Sequence, residues 1–85
     1  MYIRVKICQH QQDISNKYIV DFIPQYHRTI EQFLNRVIEL CSLDTSVDNL
    51  QISDQGYTLP HLLSTNCLSD QKVYKIWLKN QSNKK

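Results

Sequence analysis

The chain has one glycine and two prolines in 85 residues. A single glycine leaves no way to build a glycine-rich phosphate loop, and so little glycine and proline argues against a disordered chain. Cysteine is scarce and odd in number: Cys8, Cys41 and Cys67. An odd count does not suggest the disulfide framework of a small secreted domain. Zinc sites use four ligands, usually as closely paired cysteines or histidines. Cys8 and His10 stand in a Cys-x-His spacing, while Cys41, Cys67, His27 and His61 are scattered. No ligand pair results, and no pair of carboxylates falls in a predicted cleft. The expectation is therefore no metal, no cofactor, no catalytic residue, no small-molecule substrate and no enzyme. No run approaches ~18 apolar residues, so no membrane span is expected. No basic segment followed by an apolar core opens the chain, and the domain is expected inside the cell, in cytoplasm or nucleus, with reduced thiols.

Charge of one sign is also lacking. Ten Lys and Arg stand against eight Asp and Glu, a net charge of +2. Setting aside Lys84 and Lys85 leaves eight against eight. A neutral body argues against nonspecific nucleic-acid binding, which needs many phosphate contacts.

What is present is a core and two clear periodicities. Hydrophobic residues make up 41% of the chain, and a domain this small buries roughly 60–65% of its unfolded surface. Residues 2–8 alternate, with Ile3, Val5 and Ile7 on one face and Arg4, Lys6 and Cys8 on the other. Period two with β-branched residues predicts a strand with one wet face. Polar residues 9–16 predict a loop. Residues 17–23 predict a second strand, with Tyr18, Val20 and Phe22 inward and Lys17, Ile19 and Asp21 outward, because burying an unpaired carboxylate is costly. Pro24 stops it. Thr29 and Gln32 form a capping-box pattern ahead of an apolar stripe through Ile30, Phe33, Leu34, Val37, Ile38 and Cys41. This predicts an amphipathic helix over about 30–41. A polar connection follows over 43–49. Residues 50–53 predict a short strand with Leu50 and Ile52 inward, then a turn at Asp54-Gln55-Gly56 and an edge strand over 57–59 stopped by Pro60. Residues 61–72 are expected to be irregular, anchored by Leu62, Leu63 and Leu68. Residues 73–79 alternate again, with Tyr74, Ile76 and Leu78 inward and Lys75, Trp77 and Lys79 outward. One domain over 1–79 is expected, with 80–85 a disordered tail or the start of a linker.

Strand, strand, helix, strand, short strand, strand is the order of a two-layer α+β domain. Setting the last strand beside the first, in parallel, makes a β-grasp. From Ile3 to Lys79 the chain resembles the ubiquitin-like superfamily. The opening Ile-Arg-Val-Lys-Ile, the helix start at Thr29-Ile30 with Phe33 and Val37, and the ungapped stretch Leu68 to Leu78 carry the resemblance. Leu50 to Pro60 also resembles the N-terminal domain of coilin. The resemblance implies a mixed sheet of four to five strands, one covering helix and a protein-binding role.

The departures narrow that role. The sequence ends in Asn-Gln-Ser-Asn-Lys-Lys and its glycine is Gly56; conjugated relatives end in an activated Gly-Gly, so conjugation and sulfur-carrier chemistry are not expected. Cys8, Gln51 and Trp77 fall where ubiquitin has its apolar patch residues, and Lys75 falls at its histidine. Head-to-tail polymerising β-grasp domains carry an acidic cluster after the helix. Asp48 and Asp54 do not make one, although Lys6 at the place of their basic residue leaves a one-sided basic variant open.

Trp77 is the residue that points furthest toward function. Strand parity turns it outward between Lys75 and Lys79, and β-grasp order sets Arg4, Lys6 and Cys8 beside it. An exposed tryptophan among cations is an interface signature; the plainer reading packs it on the aliphatic stems of neighbouring lysines. Trp77, Lys75, Lys79, Arg4, Lys6 and Cys8 are thus the expected protein-binding residues, extended by Ile19 and Tyr2. The expected function is a non-enzymatic interaction or self-assembly module at the N-terminus of a larger protein. The alternative is a Ras-binding-type domain that meets a small GTPase at the second-strand edge, where Lys17 and Arg28 fit and Asp13 and Asp21 oppose.

Overall fold

The computed structural model describes residues 1–9 and 15–78. Lys79, the expected tail at 80–85 and the centre of the loop at 10–14 lie outside the described residues. The alternating stretches form β1 (Tyr2–Gln9), β2 (Ser15–Asp21), β3 (Leu50–Asp54), β4 (Tyr57–Leu59) and β5 (Val73–Leu78), with α1 (Ile30–Cys41) between the second and third strands. The sheet order is β2-β1-β5-β3-β4. β1 runs antiparallel to β2 and parallel to β5, and β3 runs antiparallel to both β5 and β4. This is the mixed five-stranded β-grasp that the element order predicts.

β2 occupies 15–21 rather than 17–23. Ile23 leaves the ladder because its carbonyl accepts the amides of Tyr26 and His27, at 2.9 and 2.8 Å, and turns the chain toward the helix. β1 and β2 reach further into the expected loop, since Cys8 pairs with Ser15.

The helix starts where its cap predicts. Gln32 N–H donates to Thr29 Oγ1 at 3.4 Å, and Thr29 N–H returns a bond to Gln32 Oε1 at 3.2 Å. Ile30, Phe33, Leu34 and Val37 are buried, while Ile38 and Cys41 are half-buried at the edge of the same cluster. They close against Ile3, Val5 and Ile7 of β1, Val20 of β2, Leu50 and Ile52 of β3, and Tyr74 and Ile76 of β5. Phe22 and Phe33 meet edge to face at 5.0 Å. Tyr74 is buried to the ring end, and its hydroxyl accepts the Ser69 amide at 2.7 Å.

The segment between β4 and β5 is anchored differently from the expectation. Leu62 is 83% exposed and Leu63 is also on the surface; Leu68 alone of the three is buried. The strap is held by polar bonds to the start of the helix. Thr65 is buried, its hydroxyl donates to His27 O at 2.7 Å, and its amide donates to Arg28 O at 2.8 Å. In return Leu63 O and His61 O accept the Ile30 and Glu31 amides, both at 2.8 Å. Helix amides without intrahelical partners need acceptors, and this strap supplies two. An apolar-anchor reading overlooks it because the hydrogen-bonding pattern has no periodicity.

The β3–β4 turn demands positive φ at both central residues, which Gln55 at 53° and Gly56 at 88° adopt. That is the requirement of a type I′ hairpin turn. Glycine meets it freely, and glutamine carries a steric cost. A methyl on Gly56 would meet no atom within 4 Å, so the glycine serves backbone conformation rather than space.

Four substitutions test this account of stability. Val37→Ala lowers stability by roughly 1–3 kcal/mol through a core cavity, read as the denaturation midpoint. Thr65→Val, which keeps the shape and removes the hydroxyl bond, costs about 1–2 kcal/mol, whereas Leu62→Ser leaves the midpoint unchanged. Gln55→Asn raises stability by on the order of 0.5–1 kcal/mol, because asparagine tolerates the left-handed region.

Candidate functional site

The helix covers one face of the sheet, so alternation sends every second side chain of the central strands to the other face. Register then decides what stands beside what. Arg4 lies between Ile19 and Val73, Lys6 between Lys17 and Lys75, and Cys8 opposite Trp77, which has Gln51 on its other side. Successive rows are separated by about 6.7 Å, two residues along a strand.

The middle row is three lysines wide. Lys17 and Lys75 are exposed and Lys6 is half-buried between them. Like charges directly opposite one another across strands destabilise a sheet. The ion pairs formed among the described residues are Met1 amino group with Asp21, Arg36 with Glu39, and Lys72 with Asp54. None of them involves Arg4, Lys6, Lys17 or Lys75, so no carboxylate among the described residues pairs with the row.

Around the row lies apolar surface. Trp77 is 40% exposed, a partly seated indole rather than a wholly free one. Ile19 at 67% and Tyr2 at 66% are more open, and Val73 is exposed beside them. Arg4, Ile19, Val73 and Lys17 line one shallow groove. Tyr2, Arg4 and Ile19 line a second, with Met1 and Asp70. Cys8 is on this face but only 9% exposed: a short side chain in register with an indole offers little surface of its own. Of the expected residues, the structure therefore brings Trp77, Lys75, Arg4 and Lys6 to one open face, and it tucks Cys8 beneath that face. Lys79 lies outside the described residues. Lys17 and Val73 were missed as members of this group. β2 parity already turned Lys17 outward, but only the hairpin register sets it next to Lys6.

The remaining chemistry-bearing groups are dispersed. Burial pushes the Cys41 and Cys67 thiols up, away from the thiolate that a nucleophile or metal ligand requires. Among the described residues no three His, Cys, Asp or Glu side chains gather as a metal site, and no helix is long and apolar enough to cross a membrane. Asp54 is taken by Lys72, whose ammonium lies at 3.0 Å and is held protonated above its ordinary range by that hydrogen bond. Asp48 is then left without Asp54 as a free acidic companion. Arg28, at the start of the helix, donates through Nε to Gln25 O at 3.1 Å.

Neither protein-family models nor curated protein sequences give a match to this chain. Solved structures do. A computationally designed protein based on human erythrocytic ubiquitin is similar over 99% of this chain and 98% of its own, with a TM-score of 0.70 at 12% identity. The N-terminal ubiquitin-like domain of the 4931431F19Rik protein is similar over 99% of this chain and 81% of its own, with a TM-score of 0.60 at 13% identity. The UBL domain of Plasmodium falciparum Dsk2 is similar over 93% of this chain and all of its own, with a TM-score of 0.55 at 14% identity. At these identities the likeness is one of architecture: the chain has the ubiquitin-like β-grasp fold.

Proposed function

We propose that this domain is a non-enzymatic, intracellular interaction module that binds another protein through the outer face of its sheet, with Trp77 at the centre of contact and Lys75, Lys6 and Arg4 around it. The observation that carries this reading is the open indole in the row next to three lysines that form no ion pair among the described residues. Trp and Arg supply much of the binding energy at interfaces, and a cation row that weakens the free domain gains a role when an acidic surface covers it. Cys8 contributes by seating the indole. Self-assembly is the other form of the same reading; it has less support, because Asp54 is engaged by Lys72 rather than free as an acidic counter-surface. The small-GTPase alternative loses ground as well, since Arg28 is tied to Gln25 and Lys17 belongs to the lysine row. The likeness of Leu50–Pro60 to the N-terminal domain of coilin rests on sequence pattern and adds no partner.

Trp77→Ala is expected to weaken association by roughly 2 kcal/mol or more while leaving the fold intact, measured by calorimetry against the natural partner. Lys75→Glu mainly slows association and flattens its salt dependence. Normal binding by a Trp77→Ala domain that unfolds more easily would make the tryptophan structural and move attention to the β2 edge.

A further inference from the structure

Where the strap meets the start of α1, Pro24, Arg28, Ser64, Thr65 and Asn66 line a recess of about 250 Å³. We infer that this recess takes a phosphoryl group carried on a side chain of another protein. Its lining has one guanidinium and no carboxylate. Arg28 forms no ion pair among the described residues. The bond from its Nε to Gln25 O, at 3.1 Å, fixes the group and uses neither Nη. The Ser64 hydroxyl accepts the Asn66 amide at 3.1 Å, which leaves its own proton to donate. The Asn66 side chain is exposed and has no partner among the described residues.

The backbone under these donors is already fixed. Thr65 donates from its amide and its hydroxyl to Arg28 O, at 2.8 and 3.2 Å, and Ser64 bridges to Thr29. The Arg28 amide donates to Gln32 Oε1 at 2.6 Å. Donors held in place lower the ordering cost of binding. The helix amides are not themselves the site, since Leu63 O and His61 O occupy those of Ile30 and Glu31. A guanidinium fork takes two oxygens in its plane. Ser64 and Asn66 then offer donors to a third oxygen, which a phosphoryl group has and a carboxylate lacks. One cation does not hold a nucleic acid, which needs many phosphate contacts. A protein brings contacts of its own beside the phosphate. Leu62 and Leu63 directly precede Ser64, Tyr26 lies two residues before Arg28, and all three are exposed. Leu62 stands outside the core cluster, so its apolar side chain is free to meet residues flanking the phosphoryl group.

The test screens the whole chain against short peptides with phosphoserine, phosphothreonine or phosphotyrosine at the centre and random flanks. The strongest are then titrated into nitrogen-15-labelled protein. The expected peptides carry apolar residues beside the phosphate and shift the Arg28 Nε–H and Asn66 side-chain amide signals. Arg28→Gln lowers their affinity about tenfold or more. Asn66→Asp, which sets a carboxylate in the recess, does the same and carries the test if Arg28→Gln unfolds, because the Asn66 side chain holds nothing in the fold. Arg28→Lys keeps part of the affinity, since an ammonium lacks the fork. Leu62→Ser weakens binding at an unchanged denaturation midpoint, and Trp77→Ala leaves binding unchanged. Equal binding of peptides with glutamate at the centre overturns the phosphoryl group. Equal binding of inorganic phosphate or O-phosphoserine, or tighter binding of a single-stranded oligonucleotide, overturns a protein as its source. Absence of any phosphopeptide that needs Arg28 or Asn66 overturns the site. Phosphopeptides that need Lys6, Lys75 and Trp77 instead also overturn it, and leave the outer-face reading standing.

Discussion

The parallel pairing of β1 with β5 is the constraint from which the rest of the molecule follows. It sets Val5 beside Tyr74 and Ile7 beside Ile76 on the covered face, and Lys6 beside Lys75 and Cys8 beside Trp77 on the open one. Because side chains alternate with a period of two, a slip of one residue would carry the lysines into the core. The cost of burying those ammonium groups holds the register, and with it both the hydrophobic cluster and the composition of the outer face. Core and surface are consequences of one alignment.

Local conflicts elsewhere are resolved by tertiary contacts. Ser42 takes a left-handed conformation at φ 55° to end the helix, and its amide and that of Leu43 both reach the Ile38 carbonyl. Gln55 takes the same region in the hairpin turn. Non-glycine residues there cost about 1–2 kcal/mol each, sustained by the helix packing and the β3–β4 pairing they connect. Thr65 shows the complementary case. Its buried hydroxyl is satisfied by a backbone carbonyl nearly forty residues earlier in the chain, so it fastens the strap to the helix start at a point where an apolar side chain would leave carbonyls without that donor.

The outer face differs in kind from these. Every buried side-chain polar atom among the described residues has a partner, yet four cations on the open face stand outside the ion pairs described. Among the described residues the interior is satisfied while like charges stand side by side on the open face, an arrangement that costs the sheet some stability.

The elements themselves were legible in the residues. Alternation at 2–8 and 73–78, the Thr29–Gln32 cap and the apolar stripe to Cys41 are local signals, and the helix, the central strands and the outward turn of Trp77 follow from period and from the cost of burying lysine. The strap was not legible, because Leu62 and Leu63 have anchor-like character but point to water, while the true fastener is a hydroxyl bonded across the fold. Nor was the full lysine row. β-grasp order brings Lys6 to the strand of Lys75, but parity assigns Lys17 to a face one strand at a time and cannot say that it is the neighbour of Lys6. The sequence by itself determined the elements, their buried faces and the exposure of the tryptophan, because these depend on side chains a few positions apart. Tertiary structure alone decided that Lys17 joins Lys6 and Lys75 in one row, because strand register is a long-range quantity, set where the whole core closes at once.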